Sequence, residues 1–200
     1  VKFIVPFSPG GATDISARLL GERLSQMWGQ TVIIQNRAGA GGGVGAAEAA
    51  RAAPDGYTLF FPSGSVMTAN QHVYAKMGYD PEKDFIYLTM VWGLGGPVVA
   101  AEKTGATNLK QFVEYAKKVD KVNWGSYGVG STPHVLIESM VKQYGFKAEV
   151  IQYRGEAPMW ADVAAQVLDG ASGSFAAGSP IIQSGRGKLI AVTGERLPPR

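Results

Sequence analysis

Two segments of this sequence carry the residue types that hold an anion. The first runs Phe7-Ser8-Pro9-Gly10-Gly11-Ala12-Thr13-Asp14, the second Ser126-Tyr127-Gly128-Val129-Gly130-Ser131-Thr132-Pro133-His134. Each follows a short β-rich stretch and opens a helical one. Each therefore presents unpaired backbone N–H groups at the positive end of a helix macrodipole. Glycine lets a ligand approach that backbone closely. Ser131 and Thr132 add hydroxyl donors and His134 a ring N–H. Two such loops facing each other across a hinge would hold a small molecule bearing carboxylates; the same residues also make ordinary caps and turns.

Reaction chemistry is harder to find. Gly41-x-Gly43-x-x-Ala46 after a strand meets the permissive dinucleotide pattern, so a nucleotide-dependent α/β enzyme using residues 39–46 is the alternative reading. The ribose-binding acid that pattern needs ~20 residues further on is missing, since residues 56–79 contain no acid. Ser139-x-x-Lys142 and Lys103-Thr104-Gly105 stand in the wrong order for a penicillin-binding enzyme, and no Ser-Asp-Asn accompanies them. Ser131 and His134 share one helical turn with no acid to orient the ring, which argues against a Ser-His hydrolase. The absence of cysteine excludes disulfides, thiolate metal sites and thiol nucleophiles. His72 and His134 are too far apart to form a local metal signature. No cofactor, metal or catalytic residue is expected.

A length of 200 residues allows one large domain or two small ones. With 46% hydrophobic and 18% charged residues, the chain is neither disordered nor a coiled coil. The net charge of +3 comes from scattered basic residues, so no nucleic-acid partner is expected. No apolar run reaches the ~18 residues of a membrane span. A secretory signal, if one existed, is expected to have been removed before Val1. Glycine is in excess, 27 residues without a collagen period, and must therefore sit in turns and loops.

The elements that would position these loops alternate in type. Residues 1–5 predict a strand and 13–28 a helix, capped by Thr13 or Asp14, with Ala17, Leu20, Leu24 and Met27 as its apolar stripe. Strands follow at 31–35 and 57–61 around an alanine-rich helix at 46–53. Next come a polar loop at 62–65, a short helix at 70–77 and a strand at 85–91. The rhythm breaks at Gly93-Leu94-Gly95-Gly96, and residues 97–101 form a strand entering a second unit. That unit predicts helices at 109–118, 133–144 and 158–168, a helical turn at 180–184, and strands at 122–126, 149–153, 172–175 and 188–192. Alternation of this kind predicts α/β lobes with largely parallel sheets, here residues 1–97 and 98–200, and places ligands at the carboxyl ends of the strands.

The motifs taken in order resemble a known family. Residues 5–14 (VPFSPGGATD), Gly29-Gln30, residues 36–42 (NRAGAGG) and 54–59 (PDGYTL) are similar to the Bug family, the substrate-binding proteins of tripartite tricarboxylate transporters. Tyr79-Asp80-Pro81, Asp84-Phe85, residues 128–134, Tyr153-Arg154-Gly155 and Ala191-Val192-Thr193-Gly194 continue the match along the whole chain. The resemblance implies a periplasmic solute-binding protein, not an enzyme, with a two-lobed (Venus flytrap) α/β fold. It implies a small carboxylate as ligand: a citrate-like acid, a dicarboxylate, an acidic amino acid, nicotinate or an aromatic acid such as terephthalate. The partners implied are the membrane subunits of the transporter, and the chain is expected to act as a monomer.

On that resemblance Phe7, Ser8, Gly10, Gly11, Ala12 and Asp14 meet the ligand from the first lobe, and Ser63 and Ser65 line the same cleft from the third strand end. Gly130, Ser131, Thr132 and His134 meet it from the second lobe. Arg154 is either a bidentate carboxylate partner or a solvated strand-end charge. Phe175 and Trp92 are either a floor for an aromatic ring or ordinary packing. The family's Asp-Leu-x-Gly-Gly-x-Val-Asp is Asp162-Val-Ala-Ala-Gln-Val-Leu-Asp169 here, without its glycines. Family members also continue further, with a segment that crosses back to complete the first lobe. The resemblance thus implies a longer working protein, whose C-terminal return segment is apparently absent from this sequence.

Overall fold

The computed structural model describes residues 1–93 and 95–194. Leu94, inside the expected break in the alternation, and residues 195–200 lie outside them. Phe3, Ile4 and Val5 are fully buried in β1 (Lys2–Val5), the centre of a three-stranded sheet. β2 (Ile33–Asn36) and β3 (Thr58–Phe60) flank it in parallel, setting Phe3 opposite both Ile34 and Leu59. A central parallel strand needs cover on both faces. α1 (Ala12–Trp28) covers one face, where Ala17, Leu20 and Leu24 pack on Phe3, Val5 and Val32. Met27, placed in that stripe by its spacing, lies beyond the core and is 66% exposed. On the other side, α2 (Gly43–Ala50) and α3 (Gly64–Thr68) gather Ala46 and Val66 with Phe7 and Tyr79. α3 occupies residues whose small polar character reads as a loop. α4 (Asn70–Val73) stops short of the expected helix at 70–77.

Residues 85–91 do not form the expected strand. Phe85 is anchored, stacked on Phe60 with ring centroids 5.3 Å apart and edge-on to Tyr79, and the Tyr87 hydroxyl donates to the Pro81 carbonyl at 3.0 Å. Ile86, Leu88 and Met90 are 90%, 75% and 81% exposed. A β-rich composition becomes a strand only where a sheet edge takes its backbone groups. Among the described residues, no strand pairs with this segment.

The second sheet has the order β6-β5-β7-β4-β8. It comprises β4 (Pro97–Ala101), β5 (Val122–Ser126), β6 (Ala148–Gln152), β7 (Gly170–Ser172) and β8 (Gly187–Val192). β5 runs parallel to β6 and β7, whereas β4 runs antiparallel to β7 and β8. The expectation of parallel pairing therefore holds throughout the first sheet and for half of the second. A helix between two strands does not fix their relative direction, so the alternation could not reveal this.

β4 is buried along its whole length, and its alternate side chains serve two cores. Val98 and Ala100 join Phe112, Trp124 and Ile137 under α5 (Leu109–Ala116) and α6 (Thr132–Tyr144). Val99 and Ala101 join Met159, Trp160, Val163 and Leu168 under α7 (Glu156–Ala164) and α8 (Phe175–Gln183). α8 is a full helix where the sequence reads as a strand end and a single turn. Each lobe is thus a sheet flanked by helices, and the loops leaving β1, β5 and β6 at their carboxyl ends meet between the lobes.

Candidate functional site

The loop after β1 is held open by a buried carboxylate. Gly11, in extended conformation, is the N-cap of α1 and makes no side-chain cap, so the first helical amides are left without a side-chain partner from that position. Asp14, three residues on and 3% exposed, turns back instead. It accepts hydrogen bonds from the Gly10 N–H (2.9 Å), Arg18 Nε (2.9 Å) and Asn36 Nδ2 (2.9 Å). Asn36 Nδ2 also donates to the Phe7 carbonyl, 3.0 Å away, tying the loop to the end of β2. Burial pushes the Asp14 carboxyl up, but the bonds from Arg18, Gly10 and Asn36 outweigh it and hold the group below its ordinary value.

The loop after β5 is braced from within. Trp124 Nε1 donates to the Pro133 carbonyl at 3.0 Å, fixing the start of α6 against the sheet. The Ser126 and Ser131 hydroxyls are 3.0 Å apart, and Ser126 Oγ also bonds the Gly128 carbonyl at 3.0 Å. His134 Nδ1 accepts from the Gly130 N–H at 2.9 Å, so that nitrogen carries no proton in this arrangement. Gly128 needs no side chain for a different reason: a Cβ there would sit 2.9 Å from Gly41 Cα of the first lobe.

The loop after β6 completes the meeting point. The Arg154 carbonyl accepts both the Ser8 N–H and the Ser8 hydroxyl at 3.0 Å. Beside it, Glu156 opens α7, 9% exposed, with its Cβ 3.4 Å from where a Gly11 side chain would begin. Its carboxylate accepts from the Ser174 hydroxyl (2.6 Å) and N–H (3.2 Å).

Between the lobes lies a hollow lined by Phe7, Gly11, Ala12, Ser63, Tyr127 and Glu156, with Thr13 and Trp92 at its edge. Its volume of about 20 Å³ holds one water, so the lobes are drawn together here. Phe7 and Tyr127 meet across it edge-to-face, centroids 5.9 Å apart. A larger hollow of about 310 Å³ is bounded by first-lobe residues alone, among them Val44, Arg51, Tyr74 and Met77. Capture between lobes needs groups from both, which only the smaller one has.

Of the residues picked out in sequence, Phe7, Gly11, Ala12, Ser63 and Trp92 line this hollow. Ser8 and Gly10 lie in the same loop but are engaged by Arg154 and Asp14, and Ser65 Oγ bonds Ser63 Oγ at 3.0 Å. Asp14, Gly130, Ser131 and His134 shape their loops and do not line it; Thr132 lies one residue further along α6, on the partner side of Tyr127. Arg154 contributes its carbonyl, and its side chain is exposed. Phe175 starts α8, half-buried and outside the lining. Thr13 and Tyr127, inside the two segments but not among their expected contacts, line it as well, and Glu156 was missed. The strand-end rule that singled out the other loops applies equally after β6, where the motif reading stopped one residue short, at Gly155.

The arrangement offers backbone amides at a helix start, an aromatic edge and a carboxyl that already takes the Ser174 hydroxyl and N–H. Among the described residues, no group of three or more His, Asp or Glu side chains is placed to hold a metal ion. Two α/β lobes closing on such a cleft define a protein of periplasmic-binding-protein type. The sequence matches the tripartite tricarboxylate transporter family receptor over residues 16–199, and the chain belongs to that family. It is similar to Protein BugT of Bordetella pertussis, 31% identical over 194 residues, covering 96% of this chain and 60% of BugT. Among solved structures it is similar to one described as a periplasmic transporter, 36% identical with a TM-score of 0.91, covering 96% of this chain and 65% of that one. It is also similar to an R. palustris protein solved with adipate, 31% identical with a TM-score of 0.92, at the same coverage of 96% and 65%. The chain spans about three fifths of the curated relative's length.

Proposed function

We propose that this chain is the ligand-binding part of a periplasmic receptor that captures a small organic acid between its lobes and delivers it to a transporter of the tripartite tricarboxylate type. No bond is made or broken, so it is not an enzyme. It works as a monomer whose lobes divide between residues 97 and 98. The observation that carries this reading is the start of α1, where Gly11 and Ala12 line an interlobe hollow faced by second-lobe residues. Backbone amides at a helix start favour a carboxylate there, and contacts to both lobes at once favour the closed state. Phe7, Gly11, Ala12 and Ser63 are the proposed contacts. Tyr127 and Trp92 give the hollow an aromatic wall. Family membership and the likeness to a protein solved with adipate support a dicarboxylate, with tricarboxylates and aromatic acids such as terephthalate as the other candidates.

The nucleotide reading of residues 39–46 has less support. A Cβ on Gly42 would lie 2.6 Å from Val66 Cγ2, and one on Gly45 2.9 Å from Pro6 Cβ. These glycines serve close packing within the lobe.

A thermal-shift screen of adipate, citrate, terephthalate and ATP tests the proposal. At a hundred times its Kd one acid should add about 2.7 kcal/mol of stability, with ATP inert. Stabilisation by ATP alone would overturn it.

A further inference from the structure

Glu156 is an unexpected group to find in a cleft for acids. It sits across from the start of α1, its Cβ 3.4 Å from the Cβ position of Gly11, and it lines the hollow, with its carboxyl held between Ser174 and the Ala12 backbone. The groups facing it are the Ala12 backbone from α1, Ser174 from the start of α8, Trp160 one turn further along α7, and Tyr127 from the β5–α6 loop. Tyr127 is the one titratable group among them, and none is a cation. An acid entering this cleft brings its carboxylate to amides that an existing carboxyl already overlooks. Two carboxylates in one desolvated site do not both ionise; they share a proton.

We propose that Glu156 is the specificity-determining residue of the cleft and carries a proton whenever an organic acid is bound, so that capture takes up one proton. The inference rests on the binding role proposed above. Burial pushes the Glu156 carboxyl up from its ordinary value, outweighing the Ser174 and Ala12 donors that favour its charged form. In the protonated state its O–H becomes a donor to the incoming carboxylate, a role that no cation fills here. Affinity is then highest at low pH and falls as pH rises through the value of Glu156 in the free protein. The fall approaches about tenfold per pH unit above that value. Glu156→Gln mimics the neutral form and removes the dependence.

The test is titration calorimetry of adipate, citrate and terephthalate at pH 8, each in two buffers of different ionisation enthalpy, repeated from pH 6.5 to 8.5. The wild-type protein should bind more weakly as pH rises and, over the range where its affinity falls, take up about one proton per acid bound. Glu156→Gln should bind with no uptake and a flat profile. Wild-type binding without proton uptake would overturn the proposal, whether or not the variant folds. So would uptake that persists in Glu156→Gln, which would place the proton elsewhere. If neither protein binds any of the acids at any pH, the proposed binding role itself fails and this inference falls with it.

Discussion

Asp14 and Glu156 are both acids buried in the first turn of a helix, and their surroundings push them in opposite directions. Asp14 gathers three donors, one of them a guanidinium, and stays ionised; Glu156 has only neutral donors and is pushed up. Sequence offered Asp14 as a cap or a ligand contact. It is instead a positioning group, reaching back from the third position of α1 to the residue before the N-cap, a variant of the capping-box geometry. Glu156 gave no such signal, because an acid followed by Ala-Pro reads as an ordinary helix start. Asp14→Ala should cost about 1–2 kcal/mol, since it removes the buried acceptor shared by the Gly10 N–H, Arg18 and Asn36, whose donors lie partly open to solvent. Because the folded value of Asp14 is depressed, its contribution is fully present above the unfolded value of 3.8 and is lost as pH falls through the lower folded value. Urea titrations at pH 7 and across the acid limb should therefore show the variant's deficit shrinking as the pH drops. A deficit that does not change with pH would assign Asp14 a purely steric role.

At the scale of elements, the strand-to-helix loops were the legible part, because glycine, proline and hydroxyl residues punctuate them and apolar periodicity marks both flanks. The loops after β1 and β5 lie where the sequence placed them. Partner choice was not legible. Residues 85–91 have strand composition, but among the described residues no strand pairs with them, and the direction of β4 depends on how α5 returns the chain. Bracing at long range was hidden too. Trp124 reads only as a core aromatic, yet its indole N–H holds the Pro133 carbonyl and so sets where α6 begins. Trp124→Phe keeps most of the packing with Phe112 and removes that bond. It should cost about 1–3 kcal/mol, and hydrogen exchange should show the amides at the start of α6 opening faster than those of α5. Equal exchange at both helices would mean that the sheet, not the indole, positions this loop.

The whole molecule brings the loops after β1, β2, β5 and β6 to one place. Ser8 meets the Arg154 carbonyl, Gly128 abuts Gly41, and Phe7 meets Tyr127, so the first lobe touches the second through backbone and aromatic edges with little room between them. Contacts this close need glycine where they fall, which accounts for part of the glycine excess. The central claim is that an organic acid enters this cleft and binds the bare backbone at Gly11. Gly11 has an ordinary extended conformation, so a larger residue strains no backbone there, but beyond its Cβ it fills the hollow and pushes against Glu156. The most direct measurement is equilibrium titration of the wild-type protein and Gly11→Leu with adipate, citrate and terephthalate, alongside their unfolding midpoints. The account predicts that Gly11→Leu stays folded, at a cost of about 1–3 kcal/mol for overpacking the hollow, and loses on the order of a hundredfold in affinity, the equivalent of about two or three backbone hydrogen bonds. Unchanged affinity in a folded Gly11→Leu protein would contradict it.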